Sequence, residues 1–159
     1  MNSQTTRQDQ RRQRSTAARL YAVQALFQME AAGQSADRVR KEFEDWRIGV
    51  ETDGETSPEA DEALFTRILQ DAVIWQARID QMTDRALVAK WPIDRIDPVL
   101  RALFRSAGSE LVAGKAPPRV IISEYVNITG AFFTEGREAR FVNAVLDHIA
   151  REVAPDAMK

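Results

Sequence analysis

Apolar residues spaced three and four positions apart dominate this chain and constrain its fold more than any other feature. In the segment 137–153 the stripe is Val142, Val145, Leu146 and Ile149, with Val153 one turn further on. Other segments carry the same spacing, and we recognise no convincing hairpin signal between them. The pattern therefore predicts an all-α fold with about seven helices.

Residue types at the segment ends predict where these helices begin and end. Ser57-Pro58 and Asp97-Pro98 each place a capping side chain directly before a proline, which is typical of a helix start. Trp91-Pro92 is expected to break the chain, because the residue before a proline avoids the helical conformation. The run 120–122 alone also fits a strand, but the helical pattern that follows favours a helix. We expect a loop over 49–56, a break over 130–136, and helices over about 15–32, 36–48, 57–82, 83–90, 98–114, 118–128 and 137–153.

The same signals predict three parts of the chain. Residues 1–14 are rich in Gln, Arg, Ser and Thr, and we expect them to form a flexible arginine-rich arm that buries no core. Residues 15–91 are expected to form an N-terminal helical subdomain. Residues 92–159 are expected to form a C-terminal helical subdomain that packs with the first as one compact unit.

Positive and negative charges are separated along the chain. The first 20 residues hold five arginines and one acid, whereas the chain of 159 residues has a formal net charge of −2. Between residues 42 and 62 there are nine acids and one base. Arginine offers phosphates a planar fork and offers bases a stacking face, so the start of the chain predicts a localised basic surface. The alternative for Arg11, Arg12 and Arg14 is a solubilising tail.

Residue types that most catalytic chemistry needs are scarce. The chain has no cysteine and a single histidine, His148, so it offers no disulfide, no thiolate nucleophile and no two-histidine metal site. The acids between Glu51 and Glu62 match no calcium loop, and we interpret them as a solvated loop and helix start. Phosphate-cradling loops, dinucleotide turns and nucleophile elbows are not recognised. We therefore expect a protein that is not an enzyme and that has no cofactor and no metal.

The hydropathy pattern bears on the compartment. No apolar run approaches the ~20 residues that span a bilayer, and no apolar segment follows the charged N-terminus as a secretory signal would require. The absence of cysteine fits a reducing environment. We expect a cytoplasmic protein without a membrane segment.

Phe141 lies off the apolar stripe of the last helix, beside charged residues. At about 100° per residue it falls roughly 100° from the centre of the stripe and shares that flank with Arg137 and His148. An aromatic ring next to guanidinium groups suits stacking on an unpaired base. Packing of Phe141 against a neighbouring helix is the alternative, and His148 is interpreted as a polar residue near a helix end. Tyr21 and Phe27 are interpreted as core.

Three segments together resemble one family. Residues 22–27 (Ala-Val-Gln-Ala-Leu-Phe) follow the arginine cluster, residues 101–105 (Arg-Ala-Leu-Phe-Arg) lie in the middle, and residues 140–147 (Arg-Phe-Val-Asn-Ala-Val-Leu-Asp) lie near the end. In order and spacing they are similar to the NusB family of bacterial transcription antitermination factors. The same module begins some ribosomal RNA cytosine methyltransferases. Because this chain ends where their catalytic domain would start, we expect the free-standing factor.

The resemblance implies a fold, a ligand and partners. The fold would be two helical bundles of about three helices each. The ligand would be single-stranded boxA RNA from the leaders of ribosomal RNA operons. The partners would be the ribosomal small-subunit protein NusE and an antitermination complex on RNA polymerase, and the family includes both monomers and homodimers. Carried over by position, the RNA-binding residues would be Arg11, Arg12, Arg14, Arg19, Arg140, Phe141 and Asn143.

Some interpretations stay open at this stage. Asn143 suits either the reading of a base edge or a cap or helix-to-helix hydrogen bond. For the whole chain, the main alternative is a helical protein-interaction adaptor without RNA binding of its own. An RNA-modifying enzyme subunit is disfavoured by the missing catalytic residues.

Overall fold

Helices make up most of the structure, a computed structural model that describes residues 3–87 and 95–159 without the side chains of residues 3–5. A hairpin of two short antiparallel strands, β1 (Glu51–Thr52) and β2 (Glu55–Thr56), follows α2, and a 3₁₀ turn (Asp156–Met158) follows α7. The prediction of an all-α fold is confirmed. Among the described residues no helix has the length and apolar character needed to cross a membrane. The α-helices of the described part are α1 (Ser3–Ala32), α2 (Ala36–Trp46), α3 (Glu62–Ile74), α4 (Gln76–Ala86), α5 (Pro98–Ala113), α6 (Pro118–Phe132) and α7 (Gly136–Val153).

The chain divides into two compact units, Met1–Leu69 and Gln70–Lys159. In the first unit α1 packs against α2, and in the second both α4 and α6 pack against α5 and α7. The predicted boundary between residues 91 and 92, the Trp91-Pro92 break and the end of the expected helix 83–90 lie outside the described residues. That boundary stays a prediction.

Aromatic side chains build the core of the first unit. The Tyr21 ring meets Phe43 edge-on with centroids 6.2 Å apart, and Phe43 stacks on Phe65 at 5.7 Å. The Tyr21 hydroxyl donates a hydrogen bond of 2.8 Å to the Pro58 carbonyl. Burial raises the pKa of Tyr21 above its ordinary value. The core assignment of Tyr21 is therefore confirmed.

Helix α5 is the central element of the second unit. Its residues 102–104 and 106–111 are all buried, so the neighbouring helices pack closely around it. At Gly108 an added Cβ would lie 2.5 Å from Cγ2 of Ile79 on α4, so only glycine permits this approach. The Tyr125 hydroxyl on α6 donates to the Glu110 carboxylate at 2.7 Å and lies 2.7 Å from the Ser106 hydroxyl. These contacts fix α4 and α6 against α5.

The first helix begins much earlier than the sequence pattern indicated. It runs without interruption from Ser3, so the expected start at Ser15 or Thr16 is wrong. Residues 6–14 are all exposed, and they extend a helix that is already anchored by buried residues from Ala17 onward. Gln and Arg are good helix formers, and extending an existing helix costs far less than nucleating one. Mobility of residues 1–14 without a ligand stays a prediction.

The predicted helix start at Ser57-Pro58 is also wrong. The Pro58 carbonyl accepts hydrogen bonds from the Tyr21 hydroxyl and from the Gly49 amide, so this stretch is held in a non-helical conformation. Helix α3 begins at Glu62 instead, and the Asp61 side chain accepts from the Leu64 amide at 3.0 Å as its cap.

The hairpin was missed because its turn signal was overlooked. Asp53 and Gly54, the two central residues, both have positive φ, 52° and 82°. Asp-Gly is a favoured pair for the tight hairpin turns that require this conformation. The expected loop over 49–56 therefore contains two paired strands.

Three other boundaries differ from expectation. The predicted helix 57–82 is divided at Trp75, where the sequence has neither proline nor glycine, and residues 83–86 form the last turn of α4. Helix α6 continues through Gly130 to Phe132, which shortens the expected break. The predicted starts at Pro98 and Pro118 and the helical state of 120–122 are confirmed.

Candidate RNA-binding surface

Helix α7 positions three of the seven predicted RNA-binding residues. Its stripe of Val142, Val145, Leu146 and Ile149 is buried as expected, and this fixes the rotation of the helix. Arg140 and Asn143 consequently face solvent, and Phe141 is half-buried.

The Phe141 ring combines both roles considered from sequence. It meets the buried Phe104 ring edge-on with centroids 5.9 Å apart, so part of it packs on α5. It also lines an open hollow of about 380 Å³ on the second unit. A ring held in one orientation by a neighbour and open to a hollow is suited to receive a planar base. The hollow is lined by Arg95, Ile96, Asp97, Leu100, Arg137, Glu138 and Phe141.

Among the described residues that line this hollow, four are charged: Arg95, Asp97, Arg137 and Glu138. The Asp97 carboxylate caps α5 by accepting from the Val99 amide at 2.8 Å. Arg137 Nε donates to Glu138 Oε1 at 3.2 Å and lies 3.3 Å from a Glu135 oxygen.

Glu138, which lines the hollow, has one carboxylate oxygen without a hydrogen-bond donor among the described residues. Glu138 Oε2 is shielded from solvent and accepts no hydrogen bond from the residues that the structure describes. A buried acceptor left without a donor costs roughly 1–3 kcal/mol, and more when the group is charged.

Asn143 does not share the hollow of Phe141. It lines a second one of about 340 Å³ between α6 and α7, together with Arg119, Ser123 and Asp147. Its side chain forms no hydrogen bond with the described part of the chain, so neither of its two proposed roles is decided. Phe141 and Asn143 are two positions apart on α7, so their side chains leave the helix about 200° apart, on nearly opposite sides.

The predicted arginines of α1 fall into two groups. Arg11, Arg12 and Arg14 are exposed, and Arg14 lines a hollow of about 360 Å³ with Gln10, Gln13, Pro58 and Glu59. Arg19, by contrast, is buried and only 7% exposed. Its role as an RNA contact stays a prediction, as does the convergence of these arginines with α7, because α1 and α7 belong to different units.

Other polar residues of α7 are engaged in pairs on its surface. Arg85 on α4 forms a two-pronged pair with Glu152 at 3.0 and 2.9 Å, and this hydrogen bonding lowers the pKa of Glu152. His148 is exposed and lies 3.9 Å from Glu152.

The acids between residues 51 and 62 belong mostly to the hairpin and to the segment before α3. The described residues contain no group of three potential ligands placed to hold a metal.

Comparison with known proteins identifies the family. The NusB family model matches residues 16–151. The chain belongs to the NusB family. A transcription antitermination protein NusB of Rhodopseudomonas palustris is 41% identical over 156 residues, which cover 98% of this chain and 92% of that protein.

Solved structures agree with this assignment. A Thermotoga maritima NusB structure superposes with a TM-score of 0.71 at 29% identity and covers 90% of this chain and 94% of its own. A second structure, of the antitermination factors NusB and NusE in complex with double-stranded RNA, has a TM-score of 0.68 at 24% identity and covers 86% of this chain and 96% of its own. The predicted family and fold are therefore confirmed.

Sequence reasoning missed the acid beside Phe141. Glu138 precedes Phe141 by three positions and so lies on the same side of α7. The helical spacing was available in the sequence. The shielding of one of its oxygens from solvent depends on the folded surroundings, which no single-helix projection contains.

Proposed function

We propose that this chain is an RNA-binding transcription antitermination factor of the cytoplasm. It would bind single-stranded RNA of the boxA type in the leaders of ribosomal RNA operons, together with NusE, and act in an antitermination complex on RNA polymerase. The family membership and the relatives' names support the antitermination role. The related complex with NusE and double-stranded RNA supports both kinds of partner.

The observation that carries the RNA proposal is the open hollow beside Phe141. A ring steadied by Phe104 forms one wall, Arg137 and Arg95 form part of its lining, and Arg140 lies exposed next to it in sequence. Stacking on the ring needs a base that is free of its own strand partners, which favours single-stranded RNA. Arg11, Arg12 and Arg14 would neutralise phosphates along the same strand.

A titration with labelled single-stranded boxA-type RNA tests this proposal. We expect Phe141→Leu to weaken binding about tenfold or more, because leucine keeps the packing on Phe104 but cannot stack on a base. Phe27→Leu, at an exposed aromatic on α1, is the matched control and should bind like the wild type. Equal affinity of Phe141→Leu and wild type, or equal affinity for the same sequence as a duplex, would contradict the stacking role.

A protein-interaction adaptor is the second candidate, and one observation favours it. Val73, Ile74 and Trp75 are exposed together at the junction of α3 and α4. Exposed apolar residues grouped in this way often mark a protein-binding surface. If NusE binds this chain while no RNA binding is measured with or without NusE, the adaptor is the correct function. Sedimentation of the free chain would decide between a monomer and the homodimer.

A further inference from the structure

The segment between the hairpin and α3 lies along a face of α1 that carries an arginine. The Asp61 amide donates to the Arg14 carbonyl at 3.1 Å, and the Tyr21 hydroxyl donates to the Pro58 carbonyl at 2.8 Å. Arg14 and Tyr21 are seven positions apart, which brings them to nearly the same side of a helix. Residues 58–61 therefore lie beside the exposed part of α1.

Arg14 and Glu59 border the same open hollow of about 360 Å³ on this face. Both side chains are exposed, and within the described part of the chain neither forms an ion pair. The fold also places the stem of Glu59, because its Cγ lies 3.4 Å from the position that a Cβ would take at Gly49. A carboxylate without a cationic partner is thus held at the hollow that Arg14 lines.

We propose that Glu59 lowers the affinity of Arg14 for RNA phosphates. The inference rests on the proposed function, in which this arginine neutralises a phosphate, and it names the residue that limits that contact. A phosphate drawn to Arg14 enters the field of a carboxylate whose charge no described neighbour cancels. Repulsion from the carboxylate then offsets part of the attraction by the guanidinium.

The charge of the surrounding segment acts in the same direction. Between residues 48 and 66 there are six acids and no base. The Ser57 amide donates to the Val50 carbonyl at 2.9 Å, which holds the acidic hairpin next to residues 58–61. A negative surface of this kind lowers the affinity for every polyanion, so tight binding depends on contacts that phosphates alone do not provide.

Arg12 offers an internal comparison on the same helix. It precedes Arg14 by two positions, so its side chain leaves α1 about 200° away, on nearly the opposite side. Arg12 is exposed like Arg14 but does not line the hollow. Glu59 should therefore affect a phosphate bound at Arg14 and not one bound at Arg12.

The test measures the affinity of the full chain for a labelled single-stranded boxA-type RNA and for an unrelated strand of equal length. We expect Glu59→Gln to bind both strands about twofold to fivefold more tightly than the wild type at low salt, as the removal of one surface charge allows. The gain should be equal for the two strands, because phosphate contacts carry no sequence information. It should shrink as the salt concentration rises, because both groups are exposed and therefore screened.

Double-mutant cycles identify the arginine on which Glu59 acts. In an Arg14→Gln background, Glu59→Gln should change the affinity by less than about 1.5-fold, whereas in an Arg12→Gln background it should keep its full effect. Asp45→Asn, at an exposed acid on α2 that does not line the hollow, is the control for net charge and should bind like the wild type. Circular dichroism of each variant should match that of the wild type.

Three results would overturn this inference alone. They are a Glu59→Gln variant that binds like the wild type or more weakly, a full gain that persists in the Arg14→Gln background, and an equal gain in Asp45→Asn. Failure of the wild type to bind any single-stranded RNA would overturn the proposed function and this inference with it.

Discussion

The close approach of α4 to α5 at Gly108 makes a quantitative prediction about stability. An added Cβ would lie 2.5 Å from Ile79 Cγ2 and 3.3 Å from its Cγ1, against ordinary contacts of 3.4 Å and more. Gly108→Ala therefore forces the two helices apart by up to about 1 Å, and overpacking of this kind costs roughly 1–3 kcal/mol. Alanine recovers about 0.5–1 kcal/mol of helix propensity. The free energy of unfolding should fall by up to about 2.5 kcal/mol, and the melting temperature by up to about 10 °C.

Gly130 on α6 provides the matched control, because nothing lies within 4 Å of a Cβ added there. Gly130→Ala should stabilise the protein by about 0.5–1 kcal/mol through helix propensity alone. Urea denaturation followed by circular dichroism measures both variants.

A double-mutant cycle with Ile79→Ala isolates the contact. The remaining Cβ of residue 79 would lie 3.5 Å from the new Cβ, an ordinary contact, so the double variant should be more stable than the sum of the two single changes by about 1–3 kcal/mol. Two results would refute the reasoning: a Gly108→Ala variant stabilised as much as Gly130→Ala, or strict additivity in the cycle.

Three further predictions concern polar groups. Tyr125→Phe should lower the free energy of unfolding by about 1–3 kcal/mol, because Glu110 and Ser106 lose a buried hydroxyl partner. A urea midpoint equal to that of the wild type would contradict this prediction. Arg85→Gln should lower the urea midpoint slightly at neutral pH, because its hydrogen bonding lowers the pKa of Glu152 in the folded state and the pair stabilises the protein above the ordinary carboxyl pKa of 4.5. The difference from the wild type should shrink as the pH falls through the lowered pKa of Glu152, and a difference that grows as the pH falls would contradict this reasoning. Replacing Arg11, Arg12 and Arg14 together by glutamine should make the slope of log affinity for single-stranded RNA against log salt concentration shallower by roughly 2. Each phosphate contact that is lost removes about 0.7 from that slope. Arg38→Gln on α2 is the control and should leave the slope unchanged.

Local sequence patterns predicted most of the helices and one face of each. The α7 stripe and the caps at Asp97 and Gly114 depend on spacing and on single-residue conformations, so they were accessible from sequence. Phe27, which we interpreted as core, is 38% exposed, so that interpretation is wrong. It belongs to the apolar stripe of α1, but a stripe does not show how far along the helix a neighbouring element extends.

Tertiary hydrogen bonds decided the features that the sequence pattern missed. The bond from Tyr21 to the Pro58 carbonyl joins residues 37 positions apart and overrides a strong local helix-start signal. In the candidate site, the exposure of Arg140 and the partial exposure of Phe141 follow from helix geometry. The burial of Arg19 and the unpaired oxygen of Glu138 depend on neighbouring elements, so the residues alone could not indicate them.

Photocrosslinking of a bound RNA strand tests the central claim most directly. A single-stranded boxA-type RNA with thiouridine at successive positions would be irradiated in complex with the chain, and the attached residues mapped by mass spectrometry. Our account predicts crosslinks from one strand both to Phe141 or its neighbours on α7 and to the segment 11–14 of α1. Crosslinks confined to one of these segments, or to residues remote from both, would contradict it.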